Sequence, residues 1–531
     1  MSAPEALTID RLLVDVGGDA SADTASTTTT GPALLLTGSG IPGGGLRGSS
    51  AEVVLTGPRM SLRAPLVADV SGWHATLPLM SSRWGSVPLA PASGRYVLSL
   101  VTVHAPTTLS SAVPSDDAVV SANADLPEPI LIENVCALAF EVAEDGIVVE
   151  ISAPLTDDER GLENQARLEA GYRAARGPVI DAVFFESFYG QNASCNPLAI
   201  DRELAATRPE LERYWSVIDA SVAVPPGAIA IVEGSAEWWR VRGSARLIVV
   251  NDWLRKRFQR RSGQTVLQTW HGTPLKKIAL DRSGLRPRAA AATLLERFRW
   301  NILLSQNPYT TRVFRTAYAF LFGAWEEGYP RNDVLVHGDA AALRKRLGIA
   351  PESTVILYAP TWRDDRPGDV DQLSVAEFTA SLGEGYVTLI RGHSRSMRPG
   401  KSVSGGNIID VTTYPDISEL FLASDVLVTD YSSVMFDYTV TGKPLFFFTP
   451  DLANYRDELR GFYFDLLAAA PGPVVSAADD LARVIRSAHS DEQHAEFADR
   501  YADWRARFNP RDDGNAAKRV VERLIRSGRI H

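Results

Sequence analysis

At 531 residues the chain is too long for a single hydrophobic core, and two or three domains are expected. Apolar residues make up 45% and charged residues 22%, as in an ordinary globular chain; the only cysteines, Cys136 and Cys195, exclude a disulfide framework or a cysteine-rich zinc site and suit a reducing compartment. The net charge of −10 is unevenly spread: Glu237 to Tyr318 carries 17 Lys or Arg against 4 Asp or Glu, which points to an anionic partner met by one face.

The opening MSAPEALTID has no basic-then-apolar run, so no secretory leader is expected. The longest apolar stretch, Ala317 to Trp325, is about half of the roughly 20 residues a membrane span requires. Both features predict a cytoplasmic protein. Residues 1–155 then read as β. Short alternating runs (51–57, 94–103, 136–143 and 146–155) are separated by Gly, Pro, Ser and Asp clusters, the pattern of a β-sandwich. The Ser/Thr/Ala/Gly-rich segment from Gly17 to Gly31 predicts a long mobile loop. His74 and His104 sit in or beside strand-like runs and read as structural, so an interaction or positioning role is expected for this domain.

From about Pro178 the period changes. Apolar runs (VIDAVFF, AIAIVEG, ARLIVVND, TVLQTWHG) alternate with helical stretches, and a second series (TVILYAPTW, YVTLIRGHS, DVLVTDYSS, KPLFFFTP) starts near Ser353. This is the βα alternation of parallel sheets, and two such halves predict two doubly wound domains facing one another. Ligands of open α/β sheets bind at the carboxyl ends of strands, and the informative residues follow the strand runs. Gln268-Thr269-Trp270-His271-Gly272-Thr273-Pro274 presents a histidine whose ordinary pKa suits a general base, with Lys276 and Lys277 beside it; the alternative is a structural histidine bonding a loop carbonyl. Tyr358-Ala359-Pro360-Thr361-Trp362-Arg363 ends in an arginine suited to phosphate oxygens, or to an ion pair with Asp364 or Asp365. Arg391-Gly392-His393 follows another strand and reads as an anion site. In Thr429-Asp430-Tyr431-Ser432-Ser433, a buried strand runs into a helix start whose N–H groups and hydroxyls suit a phosphate, or form an ordinary Ser cap. Asp369-Val370-Asp371 resembles a metal-binding pair but lies in a Pro/Gly loop and reads as solvated. No metal is required by the sequence, and none is excluded.

Taken together, FESFYGQNASCNP (184–196), QTWHGTPLKKI (268–278), GYPRND (328–333), YAPTWR (358–363), IRGH (390–393) and VTDYSSVMFDY (428–438) resemble the CDP-glycerol glycerophosphotransferase family, the teichoic acid and capsule polymerases of bacteria. The segment 442–465 is similar to a late signature of that family. The likeness spans roughly residues 178–530 and does not extend to 1–155.

The resemblance implies a GT-B-like pair of doubly wound domains behind the N-terminal β-sandwich-like domain. The acceptor side would be 178–345 and the CDP-donor side 350–505, with a C-terminal helix (506–531) packing back across the halves. It implies His271 as base on the acceptor hydroxyl, with Gly272, Thr273 and Lys276 beside it. His393 and Arg363 would meet the donor pyrophosphate, and Arg391, Gly392, Thr429, Asp430, Ser432 and Ser433 would line the phosphate site. Donors would be CDP-glycerol or CDP-ribitol and the acceptor a lipid-linked or oligomeric polyol phosphate. Attachment to the inner membrane face is also implied. Arg255, Lys256, Arg257, Arg260, Arg261, Arg297 and Arg299, interleaved with aromatics, suit an anionic membrane surface. Nucleic acid is not expected, because no recognition motif accompanies the basic region. Two other readings remain open: a nucleotide-sugar glycosyltransferase or epimerase of the same architecture, and a non-catalytic membrane- or polymer-binding protein.

Overall fold

The computed structural model describes residues 8–17, 31–39, 49–68, 72–104, 115–118, 121–144, 146–175, 177–255, 258–361, 372–392, 406–451, 461–488 and 490–530. Most of the segment from Gly17 to Gly31 lies outside them. The chain divides into two compact units, one formed mainly by Met1–Asn164 with Ile218–Ala223, the other by Gln165–Val217 and most of the chain from Val224 onward.

In the first unit the alternating runs fold as two sheets. One contains β1 (Thr8–Asp15), β2 (Ala33–Ser39), β5 (Val67–Ala68), β6 (Trp73–Pro78) and β9 (Ser121–Asp125), in the order β5-β6-β2-β1-β9. The other contains β3 (Ser49–Thr56), β4 (Ser61–Pro65), β7 (Gly94–His104), β8 (Ser115–Ala118), β10 (Ile130–Ile132), β11 (Cys136–Ala143) and β12 (Gly146–Ser152). Successive side chains on a strand point to opposite faces, so every second residue can enter a core. Leu34, Leu36, Trp73 and Leu77 of the first sheet join Val53, Leu55, Tyr96, Leu98, Val149 and Ile151 of the second in one buried apolar cluster. The segment Ile218–Ala223 is tied in by Asp219. Its carboxylate pairs with Arg59 and accepts the Ser93 N–H at 2.8 Å and the Ser221 N–H at 3.0 Å.

The second unit holds two parallel sheets. The first comprises β13 (Ile180–Glu186), β14 (Glu212–Val217), β15 (Ile229–Val232), β16 (Ala245–Val250), β17 (Thr265–Gln268), β18 (Ile302–Ser305) and β19 (Ala324–Glu326), in the order β15-β14-β13-β16-β17-β18-β19. The second comprises β20 (Thr354–Ala359), β21 (Tyr386–Ile390), β22 (Ile408–Asp410), β23 (Val426–Thr429), β24 (Leu445–Phe448) and β25 (Val474–Val475), in the order β22-β21-β20-β23-β24-β25. Runs such as Leu247–Val250 and Leu445–Phe448 are buried at every residue, as strands covered on both faces must be. Strand order reverses on either side of β13 and of β20, which opens a crevice at the carboxyl ends of the neighbouring strands.

Two closing helices, Asp491–Phe508 and Ala516–Arg526, complete this unit. Trp504 stacks on Phe436 beside the second sheet at 5.0 Å, while Phe508 meets Tyr309 beside the first at 5.2 Å. Asp333 accepts the N–H groups of Ala516 and Ala517 at 2.9 and 2.8 Å, which fixes the start of the last helix. Among the described residues, no helix is long and apolar enough to cross a membrane.

Candidate active site

His271 stands just beyond β17, at the end of a turn built under strain. Trp270 has φ +55°, a conformation costly for a bulky side chain, and its N–H donates to the Gln268 side chain at 2.9 Å. Phe188, Tyr189 and Cys195, on the segment after β13, also have positive φ. Asn196 holds the turn from below, its Nδ2 donating to the Thr269 and Trp270 carbonyls at 3.2 and 3.1 Å. The His271 ring stacks on Trp270 with centroids 5.0 Å apart and is tilted against Phe188 at 5.6 Å.

The tautomer follows from one contact. Nδ1 of His271 lies 2.7 Å from the Asn251 carbonyl oxygen, and a carbonyl can only accept. Nδ1 therefore carries the proton, and Nε2 of the neutral ring keeps its lone pair. Burial pushes the His271 pKa below its ordinary value and Arg331 adds to this, against the opposing pull of Asp252 and the Asn251 carbonyl. The ring is thus neutral and basic at neutral pH. Asp252 is held in turn by the Tyr189 hydroxyl, which donates to it at 2.6 Å.

Gly272 brings the two sheets' layers together. A Cβ at this position would stand 2.6 Å from Ser433 Oγ and 3.0 Å from Ser433 Cβ, so the His271 turn and the Ser432–Ser433 turn approach as only glycine permits. Both serines are half-buried. They open the helix Val434–Tyr438, five residues long, and Ser433 makes no side-chain cap. A single turn carries little dipole, so an anion here would depend on N–H groups and hydroxyls.

The remaining sequence-predicted residues fall into distinct roles. Thr429 is fully buried and its hydroxyl donates to the Ala359 carbonyl at 2.7 Å. Asp430 is buried too, accepting the Thr361 N–H at 2.9 and 3.0 Å through its two oxygens. Arg391 donates to the carbonyls of Val411 and Tyr414 at 3.3 and 2.7 Å, and burial lowers its pKa to about 10. The Gly392 N–H donates to Thr412 Oγ1 at 3.0 Å. These four brace the loops at the ends of β20, β21 and β23. Thr273 is fully buried, donating to Gln306 Oε1 at 2.6 Å. Lys276 pairs in a bridge with Phe462. His393, Arg363 and the Asp369-Val370-Asp371 segment lie outside the described residues. Among those described, no group of three His, Cys, Asp or Glu is arranged to hold a metal ion.

The basic region divides as well. Arg255 is exposed and lies over the Tyr189 ring at 4.1 Å. Arg260 donates to the Arg299 carbonyl at 3.3 Å, and Arg261 donates to the Tyr172 carbonyl. Arg299 pairs with Glu296 at 2.6 Å, and Arg297 lies over the Phe298 and Phe320 rings at 4.7 and 5.7 Å. Lys256 and Arg257 lie outside the described residues. Phe258 and Trp300 belong to the core rather than the surface.

Sequence reasoning gave no role to the group beneath the site. Arg331 pairs with Asp437, whose other oxygen accepts from Asn332 Nδ2 at 2.9 Å and Gln306 Nε2 at 3.3 Å. Gln306 also donates to Asp512 at 2.8 Å. Burial pushes the Asp512 carboxyl up to about 6, against the Tyr329 N–H, Gln306 and Asn509. The signal lay in two motifs already noticed, Gly328–Asp333 and Val428–Tyr438, each of which carries an ionisable residue that its local pattern does not explain.

Two parallel sheets, with a histidine and a pair of serines opposed at their strand ends, define an α/β protein of the class whose ligands bind in the crevice between strand ends. The sequence pattern of the CDP-Glycerol:Poly(glycerophosphate) glycerophosphotransferase family matches residues 176–526, and the chain belongs to that family. It is 35% identical over 381 residues to the teichoic acid poly(glycerol phosphate) polymerase of Bacillus subtilis (strain 168), covering 67% of this chain and 50% of that protein. To the teichoic acid glycerol-phosphate transferase of Staphylococcus aureus (strain NCTC 8325 / PS 47) it is 34% identical over 373 residues, covering 66% and 94%. The chain spans about half the length of the Bacillus subtilis polymerase and of its Staphylococcus epidermidis counterpart. The solved structure of the wall teichoic acid polymerase TagF superposes with a TM-score of 0.64 at 32% identity, covering 69% of this chain and 94% of that one.

Proposed function

We propose that the chain transfers glycerol phosphate, or ribitol phosphate, from a CDP-activated donor to the terminal hydroxyl of a polyol-phosphate acceptor, releasing CMP. The observation that carries this reading is the His271 tautomer: a neutral imidazole with Nε2 free of the proton, across Gly272 from Ser432 and Ser433. His271 Nε2 takes the acceptor's hydroxyl proton as the new O–P bond forms and the bond from phosphorus to the CMP oxygen breaks. Ser432 and Ser433 hold a phosphate of the donor, and His393 and Arg363, by motif match, meet the pyrophosphate and stabilise charge on the leaving CMP. Arg391, Gly392, Thr429 and Asp430 hold the loops that present these groups. Family membership supports the donor class, and ribitol-phosphate polymerases among the relatives keep both polyols in view.

The test uses labelled CDP-glycerol, CDP-ribitol and UDP-sugars. CMP release from a CDP-polyol is expected, and turnover of a UDP-sugar alone would overturn the reading. General-base loss costs about 10²–10⁴-fold. His271→Ala should lower turnover by at least about a hundredfold while CDP-glycerol still binds, and normal turnover would remove His271 from the chemistry. Because the folded pKa is depressed, the base form persists below the ordinary histidine value of about 6.5. The acid limb of kcat should therefore fall below that pH.

We further propose that the chain acts at the cytoplasmic face of the membrane, with an interaction or positioning role for the β-rich first unit, read as a β-sandwich. Leu295 is 67% exposed, Phe298 65%, Leu321 58% and Phe322 83%. Arg297 lies against both the Phe298 and the Phe320 rings, so these two segments are neighbours. Apolar side chains beside basic ones suit an anionic lipid surface.

A further inference from the structure

Arg331 is a buried cation outside the proposed chemistry, and every direction of its contacts is informative. Its side chain is 6% exposed and that of Asp437 1%. Its backbone N–H donates to Asn196 Oδ1 at 3.2 Å. Nη1 donates to the His271 carbonyl oxygen at 3.0 Å and to Cys195 Sγ at 3.3 Å, while Nη2 pairs with Asp437. Asp437 belongs to the helix that Ser432 and Ser433 open. One planar fork therefore touches the backbone of the candidate base on one prong and the phosphate-side helix on the other.

We propose that Arg331 is a positioning residue for the transfer, its guanidinium fixing the His271 turn against the Ser432–Ser433 turn. The inference rests on the reading of His271 as the base. Asp437 is anchored in turn by Asn332 and Gln306, so the fork has a fixed end to pull against. A lysine would carry the charge but could not span both acceptors with fixed geometry. The charge has its own effect. Arg331 acts with burial to lower the His271 pKa, Asp252 and the Asn251 carbonyl oppose it, and Asp437 partly neutralises Arg331. Asp512, with its carboxyl pushed up to about 6, meets the same Gln306 and is a second titrating group of this cluster.

A site-specific readout separates these groups. The His271 ring is titrated by ¹³C NMR in the full chain, assigned with His271→Gln, alongside pH profiles of kcat and KM for CDP-glycerol. Arg331→Met should raise the His271 pKa and move the acid limb of kcat to higher pH. Asp437→Asn should lower both, because Arg331 is then less neutralised. Arg331→Lys should leave the pKa in place but cut kcat at least about tenfold, with KM for CDP-glycerol within about twofold. Simple unfolding would let the His271 pKa rise to its ordinary value of about 6.5 in either variant, so opposite shifts from the two partners exclude it. Unchanged or same-direction shifts, or wild-type kcat in Arg331→Lys, would overturn the proposal. Should Arg331→Met not fold, the remaining two variants decide alone. If the NMR shifts arrive and the kcat profile ignores them, it is the assignment of His271 as base that falls.

Discussion

At the scale of single residues, the site depends on conformations that other side chains enforce. Trp270 is held at positive φ by Gln268 and by the Asn196 contacts, and such strain of about 1–3 kcal/mol persists only where neighbours over-determine it. Gly272 is the position where this arrangement is most easily disturbed. In Gly272→Ala the new methyl meets Ser433 Oγ at 2.6 Å and Cβ at 3.0 Å. The hydroxyl can rotate away, but Cβ cannot, so the two turns must part by a few tenths of an ångström. Turnover should fall about ten- to a hundredfold, with little change in melting temperature. Assay of the purified variant at saturating CDP-glycerol checks this, and a rate equal to wild type would mean the two turns do not act together.

At the scale of elements, strand ends were legible in the sequence and their partners were not. Runs such as Leu247–Val250 declare themselves because a parallel strand buried on both faces leaves no polar positions. His271 was legible for the same reason: it is the first titratable residue after such a run. Arg391 follows a strand too, yet its guanidinium braces the Val411 and Tyr414 carbonyls, and no local pattern distinguishes an arginine that meets a ligand from one that meets a loop. The Arg331–Asp437 pair joins residues 106 positions apart, and only the folded sheets bring them together. The helix opened by Ser433 was expected, its length of one turn was not. The basic region behaves similarly. Several of its arginines stack on rings or bond carbonyls, Arg255 and Arg260 stay exposed, and large apolar side chains are exposed as well at the end of helix Pro287–Arg297 and in the loop that follows Phe320. A buried aromatic side chain contributes about 1.5–3 kcal/mol. Phe298→Ser with Phe322→Ser should therefore weaken binding to phosphatidylglycerol vesicles by more than about tenfold. Flotation assays check this; undiminished binding would remove Phe298 and Phe322 from the proposed membrane contact.

At the scale of the whole molecule, one carboxylate matters to the first unit out of proportion to its size. Burial alone would raise the Asp219 pKa, but Arg59, Ser221 and the Ser93 N–H together hold it below the usual carboxylate range. A depressed folded pKa stabilises the native state above the unfolded value of about 3.9, and that contribution is lost as pH falls through the folded one. Asp219→Asn should therefore cost about 1–3 kcal/mol at pH 7, and its difference from wild type should shrink below about pH 4. Denaturant unfolding at the two pH values measures it, and a constant difference would show that the charge is irrelevant. Family membership reached the second unit through motifs, whereas nothing in residues 1–155 signalled that the first unit recruits Ile218–Ala223, because a tertiary insertion leaves no periodicity.

That recruitment sets an order of events during synthesis. The first unit is not contiguous in the chain: after Asn164 it waits for Ile218–Ala223, which follow β14 of the parallel sheet. At ribosomal speeds of about 5–20 residues per second, the intervening stretch takes roughly 3–12 s to emerge. Until then Arg59 and the Ser93 N–H lack the Asp219 carboxylate, and the β-rich unit is incomplete. Once Asp219 docks, the loop between β14 and β15 is fastened at a defined point. The first unit therefore cannot be completed until the opening strands of the second have been synthesised.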